Sequence, residues 1–219
     1  MSNTMMSDNV NKLVVAVDGP VAAGKGTLGR RIAVQFSFAY LDTGGLYRGV
    51  ALRMLRSGDA LDDVAALGSQ ASAITPADLE DPELRAEGTG EAASVVAPRP
   101  ELRAALLAYQ RNFANHPPNG AAGAVLDGRD IGTVICPDAD VKLFVTASAE
   151  ARAQRRHAEL IGRGEDISLE LVQADLAKRD ARDSGRAASP LAAADDAHLL
   201  DTTKMDIETA FAAARQIIA

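Results

Sequence analysis

The chain has 219 residues, is 47% hydrophobic and carries a formal net charge of −7, a balance that suits one substantial domain with a buried core and an acidic surface. Such a surface repels a nucleic-acid duplex, so any anionic ligand must meet local basic clusters. A single cysteine, Cys136, excludes an internal disulfide, no apolar run approaches the roughly 20 residues that cross a bilayer, and no charged-then-apolar leader precedes Leu13; the expectation is a cytoplasmic protein that binds neither nucleic acid nor membrane.

Residues 1–11 are polar and patternless and are expected to form a disordered tail. Residues 12–19, KLVVAVDG, are a β-branched run closed by glycine, the pattern of a strand buried on both faces of a parallel sheet. Lys25 to Phe36 places Leu28, Ile32 and Phe36 on one stripe of a helix. The short apolar run Phe38 to Leu41 then precedes a helix carrying Leu46, Val50, Met54 and Leu55. From Gly58 to Pro100 the sequence becomes acidic, Ala-rich and Pro-bearing, which predicts an insert with short helical pieces at most. Pro100 to Ala114 restores a helix, with proline tolerated in its first turn. AVLDGRD at 124–130 and VKLFVTA at 141–147 read as strands, and Ala149 to Arg163 and Ser168 to Asp183 as charged helices. Residues 184–197, SGRAASPLAAADDA, read as a mobile link, 198–203 as a last strand and Asp206 to Ala219 as a closing helix. Strands alternating with helices predict an α/β fold on a parallel sheet.

The first strand and helix are joined by GPVAAGKGT. Gly19, Pro20, Val21, Ala22, Ala23 and Gly24 make the turn, Lys25 follows, and Gly26 stands where a phosphate-binding loop usually has Ser or Thr; the hydroxyl arrives one residue late, at Thr27. A turn feeding a helix N-terminus points backbone N–H groups at a phosphate, and Lys25 adds a mobile charge for the terminal phosphates. A capped strand-to-helix turn is the plainer alternative, but the placement between strand and helix favours a bound nucleotide.

The displaced hydroxyl carries meaning. GKGT resembles the nucleoside monophosphate kinases, and GPxxAGKGT, in contrast to the GxPGxGKGT of adenylate kinases, is similar to the bacterial cytidylate kinases. Three further blocks agree in order and separation: LDTGGLYR at 41–48, DGRDIGTV at 127–134 followed by PDA and VKLF, and KRDARDSGR at 178–186 followed by a proline. The resemblance runs from about Lys12 to the C-terminus. It implies a three-layer P-loop kinase core, a parallel sheet flanked by helices, spanning 12–219 as a single domain. Within it, residues 44–115 would be a monophosphate-binding insert region and 164–190 a mobile lid.

The implied reaction moves the γ-phosphoryl group of ATP to CMP or dCMP with Mg2+, in a monomer. Because the acceptor is already a phosphate oxyanion, the task is to bring two polyanions together, which calls for magnesium, a lysine and several arginines. Lys25, Arg129 and Arg186 are the catalytic candidates. The loop residues Gly19 to Thr27, with Arg155 and Arg156, are assigned to ATP; Arg163 and Arg182 add charge nearby. Thr27 is the magnesium hydroxyl, and Asp127 either orders the metal's waters or caps the turn at Gly128. By resemblance, Arg48 and Arg129 hold the monophosphate, Thr43 is a further substrate-binding residue, and Ser94, Arg103 and Asp130 surround the cytosine, where a carboxylate accepts from the 4-amino group and an arginine donates to the O2 and N3 edge. Arg179, Asp183 and Arg186, at i, i+4 and i+7 on one side of a helix, contact sugar, base or phosphate; the alternative is an intrahelical ion pair.

The insert between Asp59 and Glu91 is short, without the alternating strands often found there. His116, His157, His198 and Cys136 lack ligand spacing and read as structural or surface residues, and Tyr47, Tyr109 and Phe113 as packing. A GTP-binding switch is the rival from another class, since residues 42–45 satisfy D-x-x-G and 203–206 imitate [NT]-K-x-D. It fits poorly because Asp42 follows Lys25 too closely to contain a switch loop. Within the kinase class, a UMP/CMP-type enzyme is the alternative.

Overall fold

A computed structural model describes residues 12–187 and 189–219, with the backbone alone for Glu87; the expected tail at 1–11 lies outside them. Five strands, β1 (Leu13–Asp18), β2 (Ala39–Asp42), β3 (Gly123–Gly128), β4 (Val141–Thr146) and β5 (His198–Asp201), form one sheet in the order β2-β3-β1-β4-β5. All pairings are parallel, with Val15 opposite both Val125 and Val141. The helices are α1 (Lys25–Phe36), α2 (Thr43–Ser57), α3 (Val64–Ser72), α4 (Glu87–Val96), α5 (Pro100–Asn115), α6 (Ala149–Gly162), α7 (Leu169–Ser184) and α8 (Ile207–Ile218).

The pleat sorts the strand residues between two cores, because successive side chains point to opposite faces. Val15, Val17, Val125, Leu143 and Val145 join Leu28 and Ile32 of α1 and Ala214 of α8 on one face. Ala16, Ala124 and Leu126 join Leu46, Val50 and Met54 of α2, Leu67 of α3, Val96 of α4 and Leu102 and Leu106 of α5 on the other. A third, small core lies away from the sheet, where Ala153 and Leu160 of α6 meet Val172 and Leu176 of α7.

Two stretches differ from the sequence expectation. The insert holds complete helices, α3 and α4, joined by 3-10 turns at Pro76–Glu80 and Pro82–Arg85; α3 is capped by Asp63, whose side chain accepts from Ala66 N. Their apolar stripes rely on alanine (Ala71, Ala92, Ala93) as much as on Leu67 and Val96, so the hydrophobic contrast that signals a helix is faint. After β3 the chain enters a π-helical turn, Ile131–Ile135, for which the sequence holds no periodic signal.

The sheet reverses direction of winding at β1, flanked by β3 on one side and β4 on the other. A crevice outside the carboxyl ends of the strands at such a switch point is where open α/β sheets bind ligands. The loops after β1, β2 and β3 all open there.

Candidate active site

The turn from β1 into α1 is shaped by its neighbours. Gly19, at φ +146, passes so close to β4 that a Cβ there would lie 1.9 Å from the Val145 carbonyl oxygen, so only glycine fits. Ala23 is buried beneath the turn, and its carbonyl accepts from Thr202 Oγ1 at 3.1 Å. Lys25 is 5% exposed and donates from Nζ to the Pro20 carbonyl at 2.8 Å, lying back along the loop. Burial, with Arg129 next in weight, lowers its pKa to about 8. Gly26 leaves room for Asp127: a Cβ at 26 would stand 3.3 Å from Asp127 Oδ2 and 3.2 Å from the Arg30 guanidinium. The glycine after the lysine therefore lets a buried carboxylate close against the loop.

Asp127 is the last residue but one of β3, a strand buried throughout. Its Oδ2 accepts from Tyr40 Oη at 3.0 Å and its carbonyl from Thr43 Oγ1 at 2.7 Å, and burial raises its carboxyl above the usual range, opposed by Lys25. Thr27 and Asp127 line the same space. Among the described residues no group of three or more His, Cys, Asp or Glu is placed to hold a metal by itself. One hydroxyl and one under-neutralised carboxylate suit a hard cation that keeps most of its waters and takes oxygens from phosphate, so the residues present fit Mg2+.

These groups border a cavity of about 620 Å³. Part of its wall is set by three ion pairs on two buried carboxylates, Asp130 and Asp183. Arg103 of α5 pairs with Asp130, and its guanidinium lies 5.7 Å from the Tyr47 ring centre. Asp183 of α7 takes Arg129 Nε on one oxygen at 2.9 Å and Arg186 on the other. Arg186 lies past the end of α7, not on it, since the helix stops at Ser184. The chain folds back there, with Leu191 N donating to the Asp183 carbonyl at 2.9 Å, so Asp183 and Arg186 pair at the cavity wall and not within a helix.

Most of the residues singled out in the sequence meet here. Val21, Ala22, Gly24, Lys25, Gly26, Thr27, Thr43, Arg48, Ser94, Arg103, Asp127, Arg129, Asp130, Arg155, Arg156, Arg179, Asp183 and Arg186 all line the cavity, whereas Gly19, Pro20 and Ala23 of the same turn do not. Arg48 stands 4.0 Å from Asp42, and burial lowers its pKa. Ser94 accepts from Arg182 at 3.2 Å. Arg155 is tied to the turn after β5 through Thr202 Oγ1 at 2.9 Å and the Thr202 carbonyl at 2.6 Å, while Arg156 pairs with Glu159 at 3.0 Å. The lining also includes Arg30, Tyr47, Arg85 and Glu159, of which Tyr47 read as packing from sequence.

Eleven cationic side chains and five carboxylates face this space, on a chain whose net charge is −7. Such a focused positive field in a cleft fits a ligand with several negative charges.

Comparison with known proteins settles the class. Residues 15–219 match the family described as cytidylate kinase. The chain belongs to that family. Cytidylate kinases from Rhodospirillum rubrum, 55% identical over 94% of this chain and 97% of that one, and from Xanthobacter autotrophicus, 57% identical over the same shares, are among its relatives. As a cytidylate kinase family member the protein is an enzyme, a nucleoside monophosphate kinase with a nucleotide-binding site. Its fold is similar to that of an uncharacterized protein from Eubacterium ventriosum, with a TM-score of 0.55 at 13% identity over 94% of this chain and 98% of that one. No helix among the described residues is long and apolar enough to cross a membrane.

Proposed function

We propose that this protein transfers the γ-phosphoryl group of ATP to CMP or dCMP, in line and with Mg2+, giving ADP and CDP or dCDP. The observation that carries the reading is the make-up of the cavity: the phosphate-binding turn with Lys25 and the buried Arg103–Asp130 pair line the same space. On this reading the turn's N–H groups and Lys25 hold the donor phosphates, Lys25 exchanging the Pro20 carbonyl for phosphate oxygens. Thr27 and Asp127 would hold the magnesium ion, which when bound neutralises charge on the phosphates. Arg48 and Arg129 hold the acceptor phosphate, whose oxyanion attacks without needing a general base, and Arg186 adds charge where the two substrates meet.

Asp130 and Arg103 then read the base. A carboxylate accepts from the cytosine 4-amino group and repels the O4 of uracil, while the arginine donates to the opposite edge. Residues 44–115 form the acceptor arm and 164–190 the lid, and the working unit is a monomer.

The test is a panel of AMP, GMP, UMP, CMP and dCMP with MgATP, run on the wild type and Asp130→Ala. CMP and dCMP are expected to lead. The variant should lose CMP-to-UMP discrimination by about 30- to 1,000-fold, the worth of a polar contact of roughly 2 to 4 kcal/mol in a closed site, with little change in KM for ATP. AMP or GMP as preferred acceptor would overturn the assignment. An unchanged CMP-to-UMP ratio in the variant would move base reading to another residue.

A further inference from the structure

Arg152, on α6, is 6% exposed and has no part in the roles above. Its guanidinium reaches three places at once. Nε donates to the Ala147 carbonyl just past β4 at 3.1 Å, Nη1 donates to the Val21 carbonyl in the phosphate-binding turn at 3.3 Å, and Nη1 and Nη2 donate to the two carboxylate oxygens of Asp180 on α7 at 3.1 and 2.7 Å. The two carbonyls fix the arginine to the sheet and the turn. Asp180 is its only partner on α7.

A second contact joins the same parts independently. The Val21 side chain packs against the small core of Ala153, Leu160, Val172 and Leu176 between α6 and α7. One residue of the turn is thus held through its carbonyl by the arginine that grips α7 and through its side chain by the core under α7. Three positions beyond Asp180 on the same helix, Asp183 holds Arg129 at 2.9 Å. Because a helix moves as a unit, a shift of the turn is felt at Asp183.

We propose that the Arg152–Asp180 pair is a positioning contact that couples occupation of the phosphate-binding turn to the arrangement of Asp183, Arg129 and Arg186 in the cavity wall. This rests on reading the turn as the ATP site and that wall as the CMP site. The bidentate fork fixes direction as well as distance, which a single point charge would not. If ATP phosphates order the turn, they also order α7, and by linkage CMP must strengthen ATP binding by the same factor.

Calorimetry measures that factor. CMP is titrated into the wild type, Asp180→Asn, Asp180→Glu and Arg152→Lys, each alone and with a saturating non-hydrolysable ATP analogue and Mg2+. The wild type is expected to bind CMP at least about fivefold more tightly with the analogue present. Asp180→Asn and Arg152→Lys, which lose the charge or the fork, should bring the ratio below about twofold while CMP affinity without the analogue stays within about threefold; Asp180→Glu should keep most of it. A pair with a purely structural role would lower the melting temperature and weaken CMP binding alone, leaving the ratio intact, and that result overturns the proposal, as does a wild-type ratio of one. If CMP binds and turns over normally but Asp180→Asn keeps the full ratio, only the coupling falls. If the wild type binds no CMP in either condition, the functional reading falls and takes the coupling with it.

Discussion

Asp18 shows how much one side chain contributes without touching a substrate. It ends β1, and its two oxygens accept from the backbone of Ile131 at 2.8 Å and Gly132 at 2.7 Å, pinning the π-helical turn that follows Asp130. Burial pushes its carboxyl up to about 6, although those two amides pull the other way. A carboxyl whose pKa is higher folded than unfolded binds its proton more readily in the folded chain. Its charge therefore costs stability above pH 6, and the cost is relieved as pH falls from 6 toward about 4, where the unfolded chain also takes up the proton. Between pH 7.5 and pH 5 the contribution of Asp18 should improve by about 1.4 kcal/mol, the worth of one pKa unit. Asp18→Asn lacks this component, so urea unfolding at the two pH values should show the wild type gaining about that much relative to the variant at pH 5. A wild-type-to-variant difference that does not change with pH would mean that the Asp18 carboxyl titrates at its ordinary value. The loop residues, Lys25, Asp127 and Asp130, stood out in the sequence because they sit inside motifs, whereas Arg103 came from the resemblance alone. Asp18 did not stand out, since its partners lie 113 and 114 positions along the chain. Arg152 and Asp180 were illegible for the same reason, and neighbouring arginines such as Arg155 and Arg156 look alike in sequence until one is seen tied to Thr202.

Among the elements, the strands and the helices α1, α2, α5, α6, α7 and α8 followed from period and punctuation, with ends shifted by a residue or two. Strong apolar contrast made them readable: Leu28, Ile32 and Phe36 on α1, for instance, repeat every four residues. The insert was read as short helical pieces because its buried positions are filled largely by alanine, which looks the same on a helix face as in a loop. Whether α3 is part of the core or a surface appendage is testable at Leu67, which is 0% exposed and packed in the core shared with α2 and α5. Leu67→Ala should cost about 2 to 4 kcal/mol of unfolding free energy through lost burial and a residual cavity. A peripheral helix would show less than about 0.5 kcal/mol. Denaturant titration with an unchanged slope distinguishes the two, and a loss near zero would put α3 outside the cooperative core.

For the molecule as a whole, the distribution of charge matters more than its total. The chain is acidic, yet eleven cations face five carboxylates inside one cavity. The α6–α7 arm meets the insert across the mouth of that cavity through Arg163 to the Arg85 carbonyl at 3.3 Å, Lys178 to Glu91 at 2.8 Å and Arg182 to Ser94 at 3.2 Å. The Lys178 and Glu91 side chains are 55% and 52% exposed, and solvent screens exposed pairs of this kind, so each contributes little. Contacts of this kind work against the mutual repulsion of the cations behind them. Two polyanionic nucleotides reverse that balance, neutralising the wall and giving Arg129 and Arg186 partners in addition to Asp183. On this reading the arm opens readily in the free enzyme and is held closed only when both substrates are present, which keeps water from the transferring phosphoryl group. Hydrogen–deuterium exchange of the amides in α7 should then slow by about tenfold or more with CMP and a non-hydrolysable ATP analogue together, a stabilisation of roughly 1.4 kcal/mol. Either ligand alone should give less, and the amides of β1 and β3, deep in the sheet, should not change. If α7 exchanges at the same rate with and without both ligands, the arm is a fixed part of the fold and closure has no role in excluding water.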